Sequence, residues 1–182
     1  MILTDREIEI ALKTGQIVVV PPPNLQRALS STTLDLTLSD RFATWKQVGG
    51  THIHPGQPGY SYSSVQQLQN QLQQTSFTLG PQGFVLAWTR EEIDLPFQSR
   101  IAARVEGKSS LARLGIGIHV TAPVIHSGFS GNIQLEIFNT GPNTVVLDAG
   151  MAVCQLVFEM TYGTPVKGYD GIFAGQTPAG IA

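Results

Sequence analysis

Charge is scarce in this chain of 182 residues. Asp, Glu, Lys and Arg make up only 13% of it, about half of the roughly 25% usual in globular proteins. Eleven basic against 13 acidic side chains leave a formal net charge of −2. No global positive field exists to hold a nucleic-acid polymer, so any bound polyanion must be small and caught by a local cluster. Cysteine is nearly missing: Cys154 is the only one, which excludes an internal disulfide and a multi-cysteine zinc site. No run reaches the roughly 18 apolar residues of a membrane-crossing helix. The opening Met1-Ile2-Leu3-Thr4-Asp5-Arg6-Glu7 has no uninterrupted apolar stretch and does not read as a signal peptide. The expectation is a cytoplasmic protein with no membrane partner. What the chain does have is turn-formers, 19 glycines and 11 prolines, beside 42% apolar residues. That composition argues against a coiled coil, a helical bundle or a disordered tail and predicts a turn-rich β-protein. At roughly 100–200 residues per domain, the length predicts a single domain over residues 1–182.

Thr4 and Glu7 have the spacing of a capping box, Ile8, Ala11 and Leu12 share one helical face, and Gly15 supplies a stop. One short N-terminal helix follows. The β-branched run 17–20 ends at Pro21-Pro22-Pro23, which cannot continue a sheet. Leu34–Leu38 alternates apolar and polar residues as a half-buried strand does. Residues 49–64 read as an irregular loop carrying His52 and His54. Residues 65–75 hold six glutamines, a polar excursion or a poor helix in which nothing suggests chemistry. From Phe77 onward short apolar segments alternate with turn signals: 84–88, 101–105, 116–120, 133–138, 145–147 and 152–158. Strand spacings of about 8–12 residues suggest a sandwich or barrel rather than βαβ units. A flexible tail is expected after about Gly168.

Two stretches carry candidate chemistry. In Glu106-Gly107-Lys108-Ser109-Ser110-Leu111-Ala112-Arg113-Leu114-Gly115 a glycine frees the backbone to turn, and a cation and two hydroxyls follow at once. Such a turn can aim N–H groups, hydroxyls and an ammonium at one anion; the alternative is an ordinary turn with exposed charges. The second stretch, His119 to Asn139, reads as a β-hairpin around Ser127-Gly128. In its second strand Leu135 and Ile137 face one way while Gln134, Glu136 and Phe138 face the other. A carboxylate at Glu136 in so apolar a strand is a candidate proton carrier if burial raises its pKa. On the residues alone, a solvent-facing Glu carries more weight. His119 and His126 flank the turn, but a zinc site needs three or four ligands, and structural roles are commoner. Asp35 fits support of either a loop or a ligand.

Together, Glu106–Gly115, His119-Val120-Thr121-Ala122, Gly128-Phe129-Ser130-Gly131 and Leu135-Glu136 resemble the dCTP deaminase family of the trimeric dUTPase superfamily. The likeness extends to Ile2–Ile8, Thr33–Leu36, Phe158-Glu159 and Tyr169. It implies an all-β fold, a distorted dUTPase-like β-barrel or jelly roll with a short N-terminal helix, assembled as a homotrimer with sites between subunits. The implied activity is zinc-independent hydrolytic deamination of dCTP to dUTP and ammonia. Zinc-dependent cytidine deaminases need a His/Cys/Cys or three-Cys set, which one cysteine cannot supply. The resemblance makes Glu136 the proton shuttle, Ser109 and Arg113 the groups that hold the attacking water, and the Ala122 carbonyl a third contact to it. Lys108, Ser109 and Ser110 would cradle the triphosphate, with magnesium carried by its phosphates. Backbone in the stretch His119, Val120, Thr121, Ala122 would read the cytosine, and Tyr169 and Gln176 in a tail over residues 168–182 would close over the nucleotide.

The sequence departs from the family pattern at three places. Lys108 stands where Arg is usual, keeping charge but losing bidentate geometry. His126 stands where Asp is usual; that aspartate contacts the sugar, and in dUTPases it activates the water that cleaves the triphosphate. Its replacement counts against the alternatives of a dUTP diphosphatase or a bifunctional deaminase-diphosphatase. The tail is short and lacks the family lysine. With His126, this motivates a third alternative, a trimer that binds nucleotide without turning it over.

Overall fold

The sheet is built from residues that alternate between core and surface. In strand β2 (Leu34–Trp45), Leu34, Leu36 and Leu38 are fully buried while their neighbours are half-exposed, the period-two pattern of a one-sided strand. The computed structural model describes residues 1–179. Ahead of β2 lie helix α1 (Asp5–Lys13), strand β1 (Val18–Val20) and the short helix α2 (Leu25–Ala28). The Thr4 N–H donates to Glu7 Oε2 at 3.2 Å, and Ile8 and Ala11 are the buried face of α1. After β2 come helix α3 (Tyr62–Gln66) and strands β3 (Gln69–Gln73), β4 (Ser76–Leu79), β5 (Phe84–Asp94) and β6 (Ile101–Gly107). The one-turn helix α4 (Ser109–Ala112) follows, then β7 (Ile116–Gly117), β8 (Val124–Ile125), β9 (Ser130–Asn139), β10 (Val145–Asp148) and β11 (Ala152–Met160).

Nine strands form one strongly curled sheet in the order β7-β9-β5-β2-β11-β6-β8, with β1 added on β5 and β3 on β2, while β4 and β10 make a separate pair. The ladders are antiparallel throughout. One contiguous core fills the curl, with Phe42, Ile93, Leu135, Ile137, Cys154 and Phe158 sealed from solvent. Burial pushes the Cys154 thiol pKa well above its ordinary value, so it packs as a small hydrophobe.

A bulge fixes the strand that matters most. Between Trp88 and Glu92 the β5–β9 register slips, so that Trp88 faces Gln134 and Glu92 faces Asn132. The fully buried Thr89 hydroxyl accepts from the Ile133 N–H at 3.0 Å and donates to the Glu91 carbonyl at 2.8 Å. The Glu91 carboxylate in turn accepts from the Thr37 N–H at 2.8 Å and the Thr37 hydroxyl at 2.6 Å. The polar groups freed by the irregularity are thus satisfied, and β9 leaves the bulge with Leu135 in the core and Glu136 on the other face.

Three sequence expectations are corrected. Residues 65–75 are neither a polar excursion nor a helix throughout: they end α3 and then form β3, whose Leu72 opposes Phe42 on β2. Alternate glutamines suit a strand with one wet face. The segment 116–120 is a strand only over Ile116–Gly117. The stretch from His119 to Asn139 is not a hairpin, because β8 pairs with β6 and β9 pairs with β5 and β7. Pro123 lacks an N–H, and its carbonyl accepts from Val105 on β6 at 2.8 Å, carrying the chain away from β9.

Candidate active site

Glu136 sits at the centre of β9, opposite Leu86 of β5, with its side chain in a cavity of about 240 Å³. His119, Ala122, His126, Gln134, Tyr169, Phe173 and Gln176 share that cavity. Burial raises the Glu136 pKa above the ordinary carboxylate value; the Val120 N–H, which donates to Oε2 at 3.4 Å, and the charge of His119 oppose the shift without cancelling it. The carboxyl is half-buried and open to the cavity, so the solvent-facing alternative does not describe it. His119 Nδ1 is out of solvent and has no hydrogen-bond partner among the described residues.

The tail lies over this cavity. Gly175 N–H donates to the Ser130 carbonyl at 2.9 Å, Asn132 N–H to the Gln176 carbonyl at 3.0 Å, and Gln176 Nε2 to the Asn132 carbonyl at 2.9 Å. Gln176 is 8% exposed. Tyr169 N–H donates to the Ser127 carbonyl at 3.1 Å, and its ring stacks on His126 with centroids 5.1 Å apart and planes at 12°. Two glycines make room. A Cβ on Gly128 (φ 90°) would come within 2.5 Å of the Tyr169 backbone, and one on Gly131 (φ 139°) within 2.6 Å of the Gln176 carbonyl. The tail is therefore seated over residues 168–179, and the part of the expected tail at 180–182 lies outside the described residues.

The other half of the expected site is elsewhere. Lys108, Ser109, Ser110 and Arg113 do not line the Glu136 cavity. Ser109, Ser110 and Arg113 are exposed on and beside α4. The Lys108 ammonium is ion-paired with Asp35 Oδ2 across the β2–β11–β6 sheet, and Asp35 Oδ1 is buried without a hydrogen-bond partner among the described residues. Of the expected base-reading stretch, His119 and Ala122 line the cavity, Val120 contributes its N–H to Glu136, and Thr121 is exposed outside it. Within one chain the structure brings together Glu136, His119, Ala122, Tyr169 and Gln176, and leaves the cationic turn apart.

Sequence reasoning missed Gln134, Phe173 and Tyr62. Tyr62, on α3, donates to Gln134 Oε1 at 3.4 Å, and its ring meets Phe173 edge-on at 5.3 Å. Residues 62 and 134 are 72 apart in the chain, so no local pattern links them. The one available signal was an aromatic in an otherwise Gly/Pro/Ser-rich loop. Among the described residues no helix is long and apolar enough to cross a membrane.

The family described as dCTP deaminase-like matches residues 2–161 of the chain. A Methanosphaera stadtmanae protein named "dCTP deaminase, dUMP-forming" is 38% identical, over 97% of this chain and 90% of that one. A Thermomicrobium roseum protein named "dCTP deaminase" is 36% identical, over 87% of this chain and 79% of that one. Among solved structures, the 2′-deoxycytidine 5′-triphosphate deaminase from Agrobacterium tumefaciens superposes with a TM-score of 0.65 at 21% identity. The match takes in 87% of this chain and 48% of that one, so this chain spans about half of its length. That likeness shows a shared fold, the curled mainly-β architecture expected from the sequence.

Proposed function

Because the chain belongs to the dCTP deaminase-like family, we propose that it removes the amino group of dCTP hydrolytically, giving dUTP and ammonia. The observation that carries this reading is Glu136: a carboxyl on a rigid, bulge-anchored strand, lodged in a cavity and held above its ordinary pKa by burial. A carboxyl so placed, with its ionised form disfavoured by burial, is suited both to take and to return a proton. In the proposed step Glu136 takes a proton from water as the water oxygen bonds to C4 of cytosine. Glu136 passes that proton to the ring nitrogen, then takes the second one from the new C4 hydroxyl and gives it to the amine; the C4 carbonyl forms as the C4–N bond breaks, and ammonia leaves. The Ala122 carbonyl beside Glu136 orients the water.

Ser109 and Arg113 complete the reading only if another copy supplies them, since in one chain they lie outside the cavity. A homotrimer that pools the α4 turn of one copy with the Glu136 cavity of the next accounts for this separation. Leu114, Val120 and Val124, which flank the two halves, are 53%, 57% and 50% exposed, and an interface there would bury them. Lys108 and Ser110 then face the triphosphate, with magnesium entering as part of the Mg–dCTP substrate. Lys108 must share its charge between phosphate and Asp35.

The name of the Methanosphaera relative, "dCTP deaminase, dUMP-forming", favours a second reading, in which the dUTP formed is hydrolysed onward to dUMP and pyrophosphate. His126 weighs against it: where the family pattern has an aspartate, this chain has an imidazole engaged in a ring stack. One experiment separates the readings. The protein is incubated with dCTP and, separately, dUTP, each with magnesium, while ammonia and pyrophosphate are followed. Ammonia without pyrophosphate is the expected result; ammonia together with pyrophosphate from dCTP establishes the second reading, and pyrophosphate without ammonia, or binding without any product, refutes both.

A further inference from the structure

Gln69 is a glutamine at 6% exposure in a strand of glutamines, and a buried amide must have its donors and acceptor engaged. Its Oε1 accepts from Gln71 Nε2 at 3.1 Å, and its Nε2 donates to the Tyr62 hydroxyl at 3.3 Å. The Tyr62 hydroxyl spends its single proton on Gln134 Oε1 at 3.4 Å. The chain of donors therefore runs in one direction, from β3 through Tyr62 to the rim of the cavity. It ends on a glutamine two residues before Glu136, on the same face of β9. Ser61 caps the α3 helix by accepting from the Ser64 N–H at 3.3 Å, and the Phe173 ring of the tail packs against the Tyr62 ring. Both hold the tyrosine in place. Burial raises the Tyr62 pKa, with the Glu136 charge adding to the shift, so the phenol stays protonated and electrostatically close to the proton carrier.

We infer that Tyr62 is a positioning residue of the deaminase site: it holds Gln134 by the amide oxygen, turning the amide N–H pair into the cavity to donate to an acceptor oxygen of the nucleotide. That acceptor is a pyrimidine carbonyl or a sugar hydroxyl. The inference rests on the function proposed above and gives the glutamine-rich segment a task, as the outer support of a substrate contact.

The test is a double-mutant cycle on the full chain, reading dCTP affinity by calorimetry and ammonia release on the same samples. Tyr62→Phe and Gln134→Leu are each expected to weaken dCTP about 3–10-fold, the worth of one hydrogen bond, with the loss falling on KM rather than kcat. The double variant is expected to be no worse than Gln134→Leu alone. Tyr62→Phe also leaves Gln69 Nε2 without its acceptor, so it is expected to melt below the wild type, and affinities are compared at a temperature where every variant is folded. Repeating the cycle with 2′,3′-dideoxy-CTP locates the acceptor: the Gln134→Leu effect vanishes if the 3′-hydroxyl is read and persists if the base carbonyl is. Wild-type affinity in Tyr62→Phe, or losses that multiply in the double variant, overturns the inference. If the wild type binds dCTP but releases no ammonia, the proposed function fails while the affinity cycle still judges Tyr62. No binding by the wild type overturns both.

Discussion

Burial disfavours the ionised form of Glu136, the form that takes a proton from water in the proposed step. Burial is the largest influence on it and raises its folded pKa above that of the unfolded chain, so the folded protein holds this proton more tightly. The corresponding stability is fully present at acid pH and is lost as pH rises from the unfolded carboxylate value through the raised folded one. Glu136→Gln removes that loss. The variant is expected to melt higher than the wild type at neutral pH, with the margin closing as pH falls below the ordinary carboxylate range; thermal melts across a pH series measure it. The same substitution is expected to lower kcat for ammonia release by about 10²–10⁴-fold, the usual worth of a general acid–base group. A destabilised native carboxylate whose loss stabilises the fold is the pattern of a residue kept for chemistry. Lys108 poses the opposite case, since its ammonium is neutralised by Asp35 in the unliganded chain. Asp35→Asn is expected to free that charge and tighten triphosphate binding, measured as a lower Kd for dCTP with a steeper salt dependence.

At the scale of elements, β9 and the tail depend on two backbone accommodations. Gly131→Ala places a Cβ 2.6 Å from the Gln176 carbonyl at a φ of 139°. The expected cost is about 1–3 kcal/mol, with release of the tail seen as faster proteolytic cleavage near residue 170. Thr89→Val leaves the buried Ile133 N–H without its acceptor, an expected loss of about 1–3 kcal/mol in denaturant unfolding. The capped first helix and the longer strands from Phe77 onward were legible because their cues are local: the Thr4/Glu7 spacing, alternation, and turn residues at regular intervals. The carboxylate was legible as a candidate because Glu136 is polar between apolar neighbours, and the resemblance sharpened its role. What could not be read was set by distant partners. β3 is a strand because β2 offers it an edge, the stretch after His119 leaves β9 because β6 captures Val124 and Ile125, and Tyr62 meets Gln134 only through the curl of the sheet. A pattern of glutamines contains none of that information.

Across the whole molecule, a single chain folds around one core yet holds its two sets of candidate catalytic groups apart, with Glu136 in the cavity and Ser109 and Arg113 outside it. The central claim is that two copies join them. On this account Glu136→Gln and Arg113→Ala, each expected to be inactive alone, damage different halves of the same site. When the two variants are co-assembled in equal amounts, each site draws its halves independently, and about a quarter of sites receive both intact halves. Ammonia release from dCTP by that mixture is therefore predicted to recover to about a quarter of the wild-type rate. If co-assembled oligomers stay as inactive as either parent, the two halves do not belong to one shared site and the account is contradicted.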